Sequence, residues 1–325
     1  MGGTHYSGPV YSAGIPIFGT LPPIIGQYYF VCPGYPGASN GNSGKTMDRP
    51  LADLETAYGK CTDGAGDGIV HVSYGTTTAQ TTSYLSAALT WSKSNITTVG
   101  ICAPTSIAQR ARISTAEAAL ASLITVSGSN NSFYNLHLYN GGTTGTGCLV
   151  VTGDRNYFYN VHAIGAGGVT AAADGDNDLT LTGASENTFE RCVFGSDTKD
   201  RGDKVSAGIH FTGGCMRNRF YDCETISYHS TGTDAGAISV DSAGAGITRD
   251  VVFKNCLFTV YDEANAAAET GVVIGTVPNN GRVLLMNCMM NGFADWNAVA
   301  DTGICLTNMA AAADTGGKAL EQNAS

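Results

Sequence analysis

Short stretches of alternating apolar and polar residues recur along this chain at a nearly fixed interval, and they read as strands rather than helices. Six segments align on an aromatic or aliphatic anchor: 131–138, 156–163, 187–194, 218–225, 251–258 and 283–290. The anchors are Phe133, Phe158, Phe189, Phe220, Phe253 and Leu285, at intervals of 25, 31, 31, 33 and 32 residues. A second apolar run accompanies each segment, at 149–151, 179–181, 209–211, 238–240, 272–274 and 304–306. Units of this length cannot bury an apolar face alone, so the repeat predicts a stacked solenoid.

The register inside the first element says how the solenoid winds. Phe189 and Cys192 stand three apart, so one straight strand would put them on opposite faces. A bend at Glu190-Arg191 brings both inward. The residue before the second inward position is Asn135, Asn160, Arg191, Asp222, Asn255 or Asn287, and five of the six are types that tolerate a left-handed backbone. A tight corner repeated every coil predicts an all-β fold: a single-stranded right-handed parallel β-helix with three sheets and coils of about 31 residues. Asp67–Val72, Ile96–Ile101 and Leu123–Val126 are expected as opening strands. A cap should close the end at residues 42–65, with Asp48 as helix N-cap, Pro50 in the first turn, and Leu51, Leu54, Tyr58 and Cys61 on one apolar face. The expected divisions are an extended arm at 1–41, that cap, the β-helix at 66–309 and a tail at 310–325.

From about residue 42 to 309 the chain resembles the pectin-lyase-like superfamily of right-handed β-helices. The resemblance rests on Gly44-Lys45-Thr46 with Arg49-Pro50-Leu51-Ala52-Asp53-Leu54-Glu55 in the cap, Gly66-Asp67-Gly68-Ile69-Val70 at the opening strand, and the stacked Asn-x-Phe-x-Asn-Cys-x-Phe coils. That superfamily includes polysaccharide lyases, glycoside hydrolases, phage tailspikes and non-enzymatic virion proteins, so the resemblance implies a fold and leaves the activity open.

Composition narrows the partners. Of 325 residues only 14% are charged, 43 are glycine, and the formal net charge is −10. No basic patch is available for a phosphate backbone, which argues against nucleic acid, and no run reaches 18 apolar residues, which argues against a membrane span. The opening residues 1–6 carry neither the basic nor the apolar stretch of a signal peptide, so none is expected. Of ten cysteines, Cys192, Cys223, Cys256 and Cys288 fall at one position of four coils and read as small inward apolar groups, with disulfides as the lesser alternative. Cys32 and Cys61 are the one pair to test for a bridge.

Enzymes of this superfamily use outward carboxylates or a basic residue, often with calcium. The Gly-His-Gly and Arg-Ile-Lys motifs of its polygalacturonases are absent, and outward strand positions are mostly Thr, Ser, Val and Tyr. No catalytic residue is expected there. The acidic residues gather instead in the loops that close each coil, among them Asp197, Asp200 and Asp203. Asp174-Gly-Asp176-Asn-Asp178 has the alternating carboxylates of a Ca2+ loop but lacks the sixth-position Gly and twelfth-position Glu of an EF-hand, so it reads either as a calcium site or as a solvated turn. Tyr228, Tyr261 and Phe293, with Trp296 nearby, form an expected outward aromatic row for a glycan or a partner subunit. His210, matched by Ser239 in the next coil, has no triad spacing.

The arm is apolar and uncharged from Ser7 to Ile25, broken by Gly and Pro, and should lie against another protein surface, with packing along the β-helix of its own chain as the alternative. Its opening, Gly3-Thr4-His5-Tyr6-Ser7-Gly8-Pro9-Val10, is similar to the start of tailed-phage structural proteins. That similarity implies a structural virion protein, a capsid decoration or head spike. Such a protein would assemble in the host cytoplasm as a homotrimer and attach to the phage capsid protein through Tyr6, Pro9, Val10, Ile15, Ile17 and Phe18. The alternatives are a tailspike-like or secreted polysaccharide depolymerase acting through the loop carboxylates, and a glycan-binding β-helix without chemistry.

Overall fold

Among the described residues each coil carries its chain through three short strands, and the strands of the coils pair in parallel with their equivalents in neighbouring coils. The computed structural model describes residues 24–115, 120–141, 147–165, 175–201, 206–229, 235–241, 246–262, 270–274 and 281–293, together with the backbone strands Tyr11–Ser12, Ile15–Pro16, Asp295–Val299, Ile304–Thr307, Ala310–Ala313 and Gly316–Ala319. The first sheet stacks Gly68–Val72, Thr97–Ile101, the opening halves of Ser132–Tyr139 and Tyr157–Ile164, then Thr188–Glu190, Arg219–Tyr221, Val251–Lys254 and Arg282–Met286. The second begins beyond the corner and runs through Arg112–Thr115, Val193–Asp200, Glu224–His229, Leu257–Asp262 and Met289–Asn291. Among the described residues eight strands make the third, from Leu89–Trp91 to Asp295–Val299. The chain is a parallel β-helix.

The anchor residues form its core. Phe133, Phe158, Phe189, Phe220 and Phe253 stack face to face, with centroids 4.5–4.9 Å apart and planes within 12°. That spacing is the distance between hydrogen-bonded strands, so in-register pairing imposes the stack. Trp91 meets Phe133 edge-on, and Tyr58 of the capping helix lies 4.3 Å from Trp91, which carries the column into the cap.

The corner residues adopt the left-handed backbone expected of them: Asn135, Asn160, Arg191, Asp222, Asn255 and Asn287 have φ between 51° and 56°. Their side chains also link coils, with Asn160 Nδ2 donating to Asn135 Oδ1 and Asn255 Nδ2 to Asp222 Oδ1. Valine in place of Asn255 is expected to cost about 1–3 kcal/mol in a denaturant melt, since a β-branched residue is strained at this φ. Glycine there should cost distinctly less. Equal costs for the two would remove backbone strain as the cause.

A second asparagine series sits at the turn entering the first sheet. Buried Asn131, Asn156, Asn187 and Asn218 pass hydrogen bonds down the stack: each side-chain Oδ1 accepts from the backbone N–H of the previous coil, at 2.8–3.0 Å. The ladder cross-links coils at a turn that strand pairing alone leaves open.

Several expectations need correction. The capping helix is Leu54–Lys60, and its N-cap is Asp53, whose carboxylate accepts from Thr56 N at 2.7 Å; Asp48 is not the cap. Leu51, Leu54, Tyr58 and Cys61 are nonetheless all buried. Tyr28–Val31, placed in the arm from its sequence, pairs with Gly68–Val72 as a first-sheet strand. Ile304–Thr307 is also first-sheet, pairing with Arg282–Met286, where the repeat suggested the second kind of run. Residues 310–313 and 316–319, expected as tail, form an antiparallel pair whose first strand extends the second sheet.

Cys192, Cys223, Cys256 and Cys288 are buried free thiols, each donating to a backbone carbonyl of the preceding coil at 3.4–3.7 Å. Cys32 and Cys61 are also free, and burial pushes the Cys61 thiol up to about 12.

Candidate functional site

Alternation around the inward phenylalanines turns a set of tyrosines outward. In Ser132-Phe133-Tyr134 and Tyr157-Phe158-Tyr159 the Phe points into the core and its neighbours point out. Strand register then places Val99, Tyr134, Tyr159, Glu190, Tyr221 and Lys254 in one outward row, with Ser132, Tyr157, Thr188 and Arg219 in the row beside it. The rings of Tyr134, Tyr157 and Tyr159 come within 5.7–6.4 Å of one another.

A wall rises beside them because the corner of the early coil is enlarged into residues 102–110. Its foot is fixed where Asn135 Nδ2 donates to Gly100 O and Cys102 O, and where Ala111 N donates to Cys102 Sγ at 3.4 Å. Farther along, Gln109 Nε2 donates to Asn160 O, and Ala108 N donates to His162 Nδ1, both at 3.0 Å. Between wall and tyrosines lies a cleft of about 480 Å³, lined by Val99, Gly100, Ile101, Cys102, Pro104, Tyr134, Asn135, Tyr157, Tyr159, Asn160 and Glu190.

The electrostatics follow from these neighbours. Glu190 Oε2 accepts from the Tyr157 hydroxyl at 2.8 Å. Burial, and then that carboxylate, push the Tyr157 phenol well above its ordinary range, so it stays a donor. Arg191, at the exposed corner, donates from Nη1 to the Tyr159 hydroxyl at 3.0 Å. Behind the wall His137 and His162 stack at 4.6 Å. His162 accepts at Nδ1 and donates from Nε2 to Gly195 O, a neutral ring, and burial pulls its pKa down to about 4. His137 is driven down to about 2 by burial first, and then by His162 and Arg112.

Such a surface offers ring faces for the apolar face of a sugar, with hydroxyl, amide and carboxylate groups for its polar edge. Hydrolysis by paired carboxylates needs two acids roughly 5–10 Å apart. Among the described residues, Glu190 is the only acid lining the cleft.

The residues singled out from sequence lie elsewhere. Asp174 falls outside the described residues. Asp176 and Asp178 are buried at 3% and 0%, which rules out a solvated turn. Asp178 is taken up by an ion pair with Arg201 and by Gly165 N, and Arg201 also donates to Asp176 O and Ser206 Oγ. Among the described residues no three His, Cys, Asp or Glu are grouped to hold a metal ion. Tyr228 and Tyr261 do pair across neighbouring coils, and Tyr261 is exposed. Phe293 is in the core instead: Gly292, at φ 85°, turns the chain inward after Asn291. The side chains of Trp296 and Ile15, and Tyr6, Pro9, Val10, Ile17, Phe18 and Asp203 altogether, lie outside the described residues. Asp197 and Asp200 are on Val193–Asp200, away from the cleft lining, and His210 pairs with Ser239 as expected.

The cleft itself was not picked out from sequence. Its signal was the pair of Tyr residues flanking Phe158, with Tyr134 beside Phe133, whereas Glu190 reads only as part of a bend.

No family model matches the chain, and no curated protein matches it. Solved structures do share its fold. A pectin methylesterase from Aspergillus niger in deglycosylated form superposes with a TM-score of 0.56 at 13% identity, over 90% of this chain and 85% of that one. Pectin methylesterase PemA from Erwinia chrysanthemi gives 0.52 at 15% identity, over 83% and 80%. A pectin methylesterase in complex with a hexasaccharide gives 0.51 at 17%, over 83% and 80%. These likenesses establish the right-handed parallel β-helix.

Proposed function

We propose that this chain is a polysaccharide-binding β-helix that holds a glycan in the tyrosine cleft of its first sheet. The observation that carries the reading is the convergence of Tyr134, Tyr157 and Tyr159 with Glu190 in one open cleft of about 480 Å³. Fold likeness to proteins named for a polysaccharide substrate, one of them bound to a hexasaccharide, supports the glycan class. The virion reading rests on the first residues of the arm, outside the described part of the chain, and has no counterpart among these structures.

A glycan array followed by calorimetry on the best oligosaccharide tests the proposal. Tyr157→Ala and Tyr159→Ala are each expected to weaken binding about tenfold, the typical effect of truncating an aromatic anchor. Tyr261→Ala, on another face, should leave it unchanged. Absence of any glycan ligand, or binding indifferent to the cleft variants, sinks the proposal.

Cleavage is the second reading, favoured by the Tyr157–Glu190 hydrogen bond as a place for proton transfer. Shortening of the bound chain, abolished by Glu190→Gln, would establish it.

A further inference from the structure

The charge in the cleft selects among glycans. We infer that the ligand carries a positive group there, and that the cleft takes an amino sugar with a free ammonium rather than a uronate or an N-acetylated sugar. This inference rests on the glycan reading above.

Among the described residues, Glu190 is the only charged side chain in the cleft lining. One of its oxygens accepts from Tyr157, and the carboxylate still faces the cleft beside three tyrosine rings. The π faces of those rings are negative, and a cation within about 6 Å of a ring centroid is attracted to each. Arg191 is a competing charge that also feels Glu190, but it stands exposed at the corner, outside the lining, and donates to the Tyr159 hydroxyl. The whole chain, at −10, adds a field that draws cations and repels polyanions. Carboxylate, ring faces and net charge thus all favour an ammonium. An acetyl group on that nitrogen would remove the charge, and a uronate would meet Glu190 as a like charge.

Calorimetry on the full chain with a glucosamine hexamer, its N-acetylated counterpart and a galacturonate hexamer tests this. The glucosamine hexamer should bind at least tenfold more tightly than the N-acetylated one, and the galacturonate hexamer should not bind measurably. Raising ionic strength from 20 mM to 500 mM should weaken glucosamine binding severalfold, because the attraction is partly screened. Glu190→Gln should cost a further tenfold, and the salt series on the unaltered chain holds even if that variant folds poorly. Equal or tighter binding of the N-acetylated or galacturonate hexamer, or binding insensitive to salt, overturns the amino-sugar inference while leaving the glycan proposal standing. Failure of the glucosamine hexamer overturns the amino-sugar inference alone, and absence of any ligand on the glycan array overturns both.

Discussion

Replacing Phe220 with alanine is expected to destabilise the β-helix by about 4 kcal/mol, near the top of the range for single core truncations. Phe220 is fully buried and stacks on Phe189 at 4.7 Å and on Phe253 at 4.5 Å. Phe194 and Phe211 meet the same ring edge-on. The substitution removes the ring's transfer energy and opens a cavity that in-register strands cannot close, because their spacing is set by backbone hydrogen bonds. It also weakens both interfaces by which this coil packs on its neighbours, and each repeat of a solenoid contacts only its neighbours. Urea unfolding of Phe220→Ala beside Tyr221→Ala is the measurement. The outward Tyr221 should cost under about 1 kcal/mol. Similar midpoints for the two would mean that the stack is not what holds the coils.

Asparagine at position 176 is expected to stabilise the protein at pH 8 and to do little near pH 4. Asp176 is buried, its Oδ1 has no hydrogen-bond partner, and burial first, then the charge of Asp178, raise its pKa to about 7, against the pull of Arg201. In the unfolded chain the same group titrates near 4. Between those values the folded chain holds a proton that the unfolded chain has lost. Stability from this group is therefore fully present below about pH 4 and falls as the pH rises through 7. At ~1.4 kcal/mol per pH unit between the two values, the penalty at pH 8 reaches up to about 4 kcal/mol, and Asp176→Asn removes it. Buried His137 and His162, lowered to about 2 and about 4, act in the opposite sense: their contribution is complete above pH 6.5 and declines as the pH falls toward 4. The difference between variant and parent, followed by urea unfolding from pH 4.5 to 8, isolates Asp176 from them. A difference that does not grow with pH would show that the carboxylate is solvated in the folded chain.

Much of the architecture was legible because a repeat states the same physical problem many times. One Phe at an inward position is ambiguous. Five at intervals of 25 to 33, four of them followed two residues later by an Asn or Asp suited to a left-handed corner, leave only one way to wind the chain. The cap was legible to its apolar face and misplaced at its N-cap: Asp48 and Asp53 both precede helix-compatible residues, and only the bridge from Val31 to Leu51 holds residue 51 out of the helix.

The site was not legible, for a different reason. Tyr134, Tyr157 and Tyr159 come from two coils, the wall from a third and Glu190 from a fourth, and nothing local marks them as a set. A strand's alternation says that a tyrosine points outward; it does not say whether a loop from another coil will rise beside it. The aspartates were misread by the same limit. Asp176 and Asp178 look solvated in a run of Gly, Asp and Asn, and are buried because Arg201, more than twenty residues later, folds back over Asp178.

Periodicity by itself determined the β-helix, the inward Phe column and the left-handed corners, since these depend on local alternation and on contacts repeated from coil to coil. Tertiary structure alone decided where the enlarged corner at 102–110 stands, which tyrosines it encloses and which carboxylates leave water, because each of those depends on one particular juxtaposition that occurs once in the chain.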